Sequence, residues 1–159
     1  MRIISIDPGY ERLGIAILEK NGGEKEKLLY SDCFKTSAKD SFEMRLVQIG
    51  REIKKLIEEY KPEALAIENL FFENNQKTAM HVAETRGVLM YEAVSHGLTL
   101  HEFTPLQIKA AVTGSGRADK KAVISMIGRL VVIEKEIKHD DEYDAIACGL
   151  TFFAVFHRF

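Results

Sequence analysis

The sequence predicts an α/β fold: a mixed sheet of five strands, three antiparallel and then two parallel, with helices on both faces. Three observations lead there. The chain opens on apolar runs separated by a tight turn, then alternates runs of helical period with short apolar strands. No stretch approaches the roughly 18 apolar residues that a membrane-spanning helix needs. Three strands in hairpin succession, followed by strands reached through helices, make a mixed sheet covered on both sides.

Each element follows from local pattern. Arg2–Asp7 contains Ile3-Ile4-Ser5-Ile6, the near-continuous apolar run of a buried strand. A second strand covers Gly14–Glu19, and Asn21-Gly22-Gly23 turns the chain into a third over Lys27–Phe34. Phe42, Leu46, Ile49, Ile53, Leu56, Ile57 and Tyr60 recur at helical spacing and stop before Pro62. Ala64-Leu65-Ala66-Ile67 is a fourth strand closing on Glu68. A long helix follows over 75–96, with Gly97 placed to end it. Leu98–Phe103 is the fifth strand, and Thr104-Pro105 is a cap followed by proline at the first helical position, opening a short helix to about Val112. Thr113-Gly114-Ser115-Gly116 breaks it; further helices cover 119–132 and 141–156. A right-handed crossover sets the fourth strand beside the first.

At 159 residues the chain is expected to form one domain over 1–159, long enough to bury a real core. Apolar and charged fractions of 46% and 29% belong to a soluble globular protein. The first residues carry no signal-peptide pattern, and Cys33 and Cys148 lack a CxxC partner, so a reduced, cytoplasmic protein is expected. A net charge of −2 argues mildly against a nucleic-acid binder, which is usually basic overall, although local patches matter more than the sum. The five histidines show no metal-binding spacing; His139, close to Asp141, is expected at the surface.

Four acids point to chemistry. Asp7 ends the first strand and is followed by Pro8-Gly9; Glu68 ends the fourth. Asp141 and Asp144 are three apart at the start of the last helix and share one face. In open α/β sheets, sites form outside the carboxyl ends of strands. Taken singly, each acid reads as a surface charge, and the last two suit a helix N-terminus. Together they read as a divalent-metal site, because crowded carboxylates repel unless cations neutralise them. Hard oxygen ligands suit Mg²⁺ or Mn²⁺. The chemistry expected is metal-dependent phosphodiester hydrolysis.

Five stretches occur in order along nearly the whole chain: Ile6-Asp7-Pro8-Gly9; Ile67 to Phe72 with Ala83-Glu84-Thr85-Arg86-Gly87; Thr104-Pro105 through Lys109; Val112 to Lys120; and Asp141-Glu142-Tyr143-Asp144-Ala145. Together they resemble the RuvC family of Holliday-junction resolvases, within the RNase H-like superfamily. The resemblance implies a homodimeric endonuclease of recombination and repair that nicks two opposed strands of a four-way DNA junction. It places the catalytic, metal-holding acids at Asp7, Glu68, Asp141 and Asp144, with two ions per site and Asp7 bridging them. Asp141 is chosen over its neighbour Asp140 because the family keeps two residues between its last two acids. Leu13 and Asn69 depart from the family's usual threonine and glutamine. A branch-migration motor as partner is implied by the family alone. A YqgF-type nuclease is the nearest rival; an actin-like nucleotide-binding module and a non-catalytic dimerisation module are more distant ones.

Further residues take roles by position. Phe71 and Phe72 follow Glu68 in an expected loop, and one of the rings, Phe71 by family position, is placed to stack on a base. Lys109, Arg117, Lys120 and Lys121 flank the glycine-rich loop, where Gly114 and Gly116 admit a phosphate and the cations hold a duplex arm. On the long helix, Ala83, Arg86, Gly87 and Met90 lie at helical spacing, and the resemblance puts the two-fold interface there. The final aromatic run, Phe152, Phe153 and Phe156, is expected to pack; Phe159 has no assigned role.

Overall fold

Residue parity along the first strand decides how the layers stack. In the computed structural model, residues 1–69 and 76–156 are described. The elements run β1 (Arg2–Asp7), β2 (Arg12–Glu19), β3 (Glu26–Lys35), α1 (Phe42–Tyr60), β4 (Ala64–Glu68), α2 (Gln76–Ser95), β5 (Thr99–Phe103), α3 (Pro105–Thr113), α4 (Lys120–Leu130), β6 (Val131–Val132) and α5 (Asp140–Phe156). The sheet order is β5-β4-β1-β2-β3-β6. β1 is antiparallel to β2 and parallel to β4, β2 is antiparallel to β3, and β5 is parallel to β4.

Successive side chains of a strand face opposite sides, and two cores result. Ile4, Ile6, Ile15, Ile17, Leu65 and Ile67 pack with Ile49, Ile53 and Leu56 of α1 and Leu89 of α2. Ile3, Ala16, Leu18, Ala64 and Ala66 pack with α3, α4 and α5, whose Phe152 and Phe153 are fully buried. The same parity puts Asp7, Glu68, Gly14 and Arg12 on the α5 side of the sheet.

Helix starts carry the predicted chemistry. Thr104 and Gln107 form a capping box, the Thr104 hydroxyl accepting from Gln107 N (3.2 Å) and the Gln107 side chain from Thr104 N (2.8 Å). Asp119 caps α4 by accepting from Ala122 N at 2.8 Å.

Two expectations need correction. Among the described residues the sheet has six strands rather than five. The helix expected to reach Val132 stops at Leu130, and Val131 and Val132 pair in parallel with Glu26 and Lys27. Both are β-branched, and the outer edge of β3 offers free backbone groups, so strand pairing wins over the last half-turn of helix. Phe156 packs against His101, Phe103 and Phe152 but stays 51% exposed. Cys33 and Cys148 are free thiols, both buried, as expected.

Candidate active site

Parallel pairing of β1 with β4, Ile6 opposite Ile67, brings Asp7 and Glu68 side by side at the carboxyl ends of adjacent strands. Helix α5 supplies the other two acids, and glycine lets it come close. Gly14 pairs with Asp7 across β1 and β2, and a Cβ at Gly14 would collide with the carbonyl of Asp141. Further along, a Cβ at Gly149 would stand 2.7 Å from Ser5 Oγ and 2.5 Å from Leu18 Cδ1. Small residues thus seat α5 directly on the sheet, with its first turn over the end of β1.

Electrostatics reflect the crowding. The Asp7 carboxyl is pushed up from 3.8 to about 7, first by burial and then by Glu68, Asp144 and Asp141, with Lys120 opposing. Glu68 is raised by burial and by Asp144, with Lys109 and Arg86 opposing. Asp141 lies below its ordinary value: burial raises it, but a backbone hydrogen bond, Arg12 and Cys33 together outweigh that. Cys148, fully buried, has its thiol held well above the ordinary value by burial and by Glu68 and Asp7.

Cations of the chain itself partly offset this charge. Arg12 donates to and pairs with Asp141. Lys120 Nζ donates to Asp144 Oδ2 at 3.0 Å and stands 3.3 Å from Asp140 Oδ2. Lys120, Lys109, Glu68 and Asp144 line one open cavity of about 190 Å³, floored by Ile108, Val123 and Ala147. Among the described residues, no three acid, histidine or cysteine side chains are set together as ligands of one ion. Two of the four acids are turned instead to Arg12 and Lys120. The donor set nonetheless suits a divalent ion: hard carboxylate oxygens around a half-buried Asp7 that holds its charge only at a cost.

The remaining sequence assignments fall in different places. Arg117 and Lys121 are exposed, in the loop before α4 and in its first turn, and neither lines the cavity. Phe71, Phe72 and Phe159 lie outside the described residues. On α2, Ala83 and Gly87 are exposed and Met90 is half-buried. Arg86 differs from its expected place on an outer face. It is buried, donating to the Glu68 carbonyl and pairing with Glu102, because the end of β4 presents a carbonyl and β5 an acid that need a donor. His139 is half-buried, its Nε2 3.4 Å from Lys35 Nζ.

Three nearby residues escaped the sequence. Arg12 lies two positions before the strand start expected at Gly14; extending the alternation back would have turned it toward α5. Cys33 pairs with Gly14 on the same face, its Sγ 3.5 Å from Asp141 Oδ2. Glu142 is the third residue of α5, a position from which acids often cap a helix start; it is buried and held by four hydrogen bonds.

A mixed sheet of this order, with acids at the ends of its central strands under a closely seated helix, is that of RNase H-like nucleases. Residues 3–152 match the family model described as Crossover junction endodeoxyribonuclease RuvC, and the chain belongs to that family of endonucleases. The family's enzyme from Alkaliphilus metalliredigens is 46% identical over 150 residues, covering 94% of this chain and 91% of that one. The one from Thermosipho melanesiensis is 43% identical over 147 residues, covering 92% and 93%. The structure of T. thermophilus RuvC in complex with Holliday junction substrate superposes with a TM-score of 0.91 at 28% identity, covering 98% of this chain and 94% of that one.

Proposed function

We propose that this protein resolves four-way DNA junctions by paired nicks, using Asp7, Glu68, Asp141 and Asp144 to hold two divalent ions, Mg²⁺ or Mn²⁺. Support for the site comes foremost from Asp7, half-buried among three other acids and raised to about 7 by desolvation and that company. A carboxyl group in such surroundings is relieved by a cation, and ordinary packing gives no reason to collect four acids there. When bound, such ions supply an activated water and stabilise the leaving oxygen of phosphodiester hydrolysis.

The chain's own residues then have definite tasks. Asp7, at the centre of the sheet, is the acid we assign to bridge the ions. Lys120, now on Asp144, and Lys109, on the cavity wall, are placed to hold phosphate oxygens. Arg117 and Lys121 extend the cationic rim along the duplex arm. Phe71 is assigned to stack on a base near the junction centre, with Phe72 as the alternative.

Two opposed cuts in a near-symmetric junction call for two sites under two-fold symmetry, hence a homodimer. Ala83, Gly87 and Met90 mark the α2 face proposed for it. Exposed Met80 (62%), Tyr91 (70%) and Val94 (58%) on the same helix favour burial against a partner. A junction branch-migration motor is the further partner we propose. No helix among the described residues is long and apolar enough to cross a membrane, which fits the proposed cytoplasmic setting.

The test is a synthetic four-way junction incubated with and without Mg²⁺. Wild-type protein should make symmetric nicks only with the ion. Asp7→Asn should lose at least roughly a thousandfold in nicking, as expected of a residue acting at the reacting centre, yet bind the junction as before. Near wild-type cutting by Asp7→Asn would refute the assignment.

A further inference from the structure

We propose that Glu142 is a positioning residue: it fixes where α5 begins and so sets Asp141 and Asp144 over the strand ends. The inference rests on reading those two acids as ion ligands, and it assigns Glu142 no contact with an ion. The geometry is specific. Glu142 is 2% exposed, between the two acids in sequence. Its Oε2 accepts from Ser31 Oγ at 2.6 Å and from Lys135 Nζ at 2.8 Å. Its Oε1 accepts from the backbone N–H groups of Lys138 (3.1 Å) and His139 (3.2 Å).

Those four bonds join three parts of the chain. Ser31 lies in β3, opposite Ala16 of β2, so the anchor point belongs to the rigid sheet. Lys135 also donates to the Ser31 carbonyl (2.6 Å) and hydroxyl (3.0 Å), which ties the irregular segment 133–139 to the same spot. Counting Asp140 as the first helical residue, Glu142 is third, and its reach back to His139 N is one half of a capping box. A surface cap would serve the helix alone. This one is buried, charged and bonded to β3, so it registers the helix start against the sheet.

Without it, segment 133–139 keeps β6 at one end and the Lys135–Ser31 contact, but loses the acceptor for Lys138 N and His139 N at the helix start. The first turn of α5 then keeps Gly14 beneath it, Arg12 and Cys33 at Asp141, and Lys120 at Asp140 and Asp144, but loses its buried tie to β3. Groups that orient metal ligands without touching the ion typically matter by roughly 10–100-fold in metal affinity or activity. Junction contacts through Lys109, Arg117 and the loop around Gly114 sit on other elements and do not depend on this anchor.

The experiment measures Mn²⁺ binding to the full chain by electron paramagnetic resonance, and four-way junction binding without metal, for a graded series. Glu142→Gln keeps an acceptor for the backbone N–H groups and should weaken Mn²⁺ binding only severalfold. Glu142→Met removes both acceptors and should weaken it roughly 10–100-fold, with junction affinity held within about twofold. Ser31→Ala and Lys135→Met leave the carboxylate in place and should each weaken Mn²⁺ binding severalfold; they carry the test should Glu142→Met not fold. Wild-type Mn²⁺ affinity across the series would overturn the positioning role, as would parallel loss of metal and junction binding. Absence of Mn²⁺ binding by the unaltered protein would instead overturn the ion-site reading itself.

Discussion

At the scale of single residues, Asp7 is where the fold works against its own charge. Its carboxyl moves from 3.8 to about 7 in the folded chain, so between those values the folded protein holds a proton that the unfolded chain has released. Stability of the ion-free protein should therefore fall as pH rises through that window and level off above it, with a total on the order of a few kcal/mol. Asp7→Asn should remove most of that slope and be the more stable form at pH 8, which thermal melts in chelator across pH 5–8 would read directly. Divalent ions should reverse the trend, since they compete with the proton and bind more tightly as pH increases. A pH-independent melting difference between the two proteins would contradict the raised Asp7 carboxyl.

At the scale of elements, the placement of α5 decides whether four acids scattered over the sequence become one cluster. Gly14 is the point of closest approach, and a methyl group there would meet the backbone of Asp141. Gly14→Ala should displace the first turn of α5. Overpacking of this kind costs roughly 1–3 kcal/mol, so the protein should remain folded while nicking falls by at least about tenfold. Comparing a melting curve with junction-nicking rates checks the split. Much of this element logic was legible from sequence. Asp7 and Glu68 end apolar runs, Asp141 and Asp144 are spaced for one helix face, and strand parity does the rest. What stayed hidden depends on partners far along the chain. Glu142 finds Ser31 in β3, Arg86 turns inward to the end of β4, and Val131-Val132 finds the free edge of β3. No local period encodes any of those meetings.

At the scale of the whole molecule, the two cores divide the labour. One clamps α1 and α2 to the sheet and leaves Met80, Tyr91 and Val94 of α2 exposed; the other seats α5, with α3 and α4 carrying Lys109 and Lys120. Acids and lysines thus reach a single open cavity from β4, α5, α3 and α4, with Asp7 of β1 electrostatically coupled to those acids. Lys109 and Lys120 line the same cavity as Glu68 and Asp144 in a chain that belongs to a family of crossover junction endodeoxyribonucleases. Diffraction from crystals soaked in Mn²⁺, recorded at the manganese absorption edge, tests the central claim most directly. Anomalous peaks bounded by Asp7, Glu68, Asp141 and Asp144, with Arg12 and Lys120 released from their acids, are the result expected. Manganese bound elsewhere, with Asp141 still on Arg12 and Asp144 still on Lys120, would contradict it.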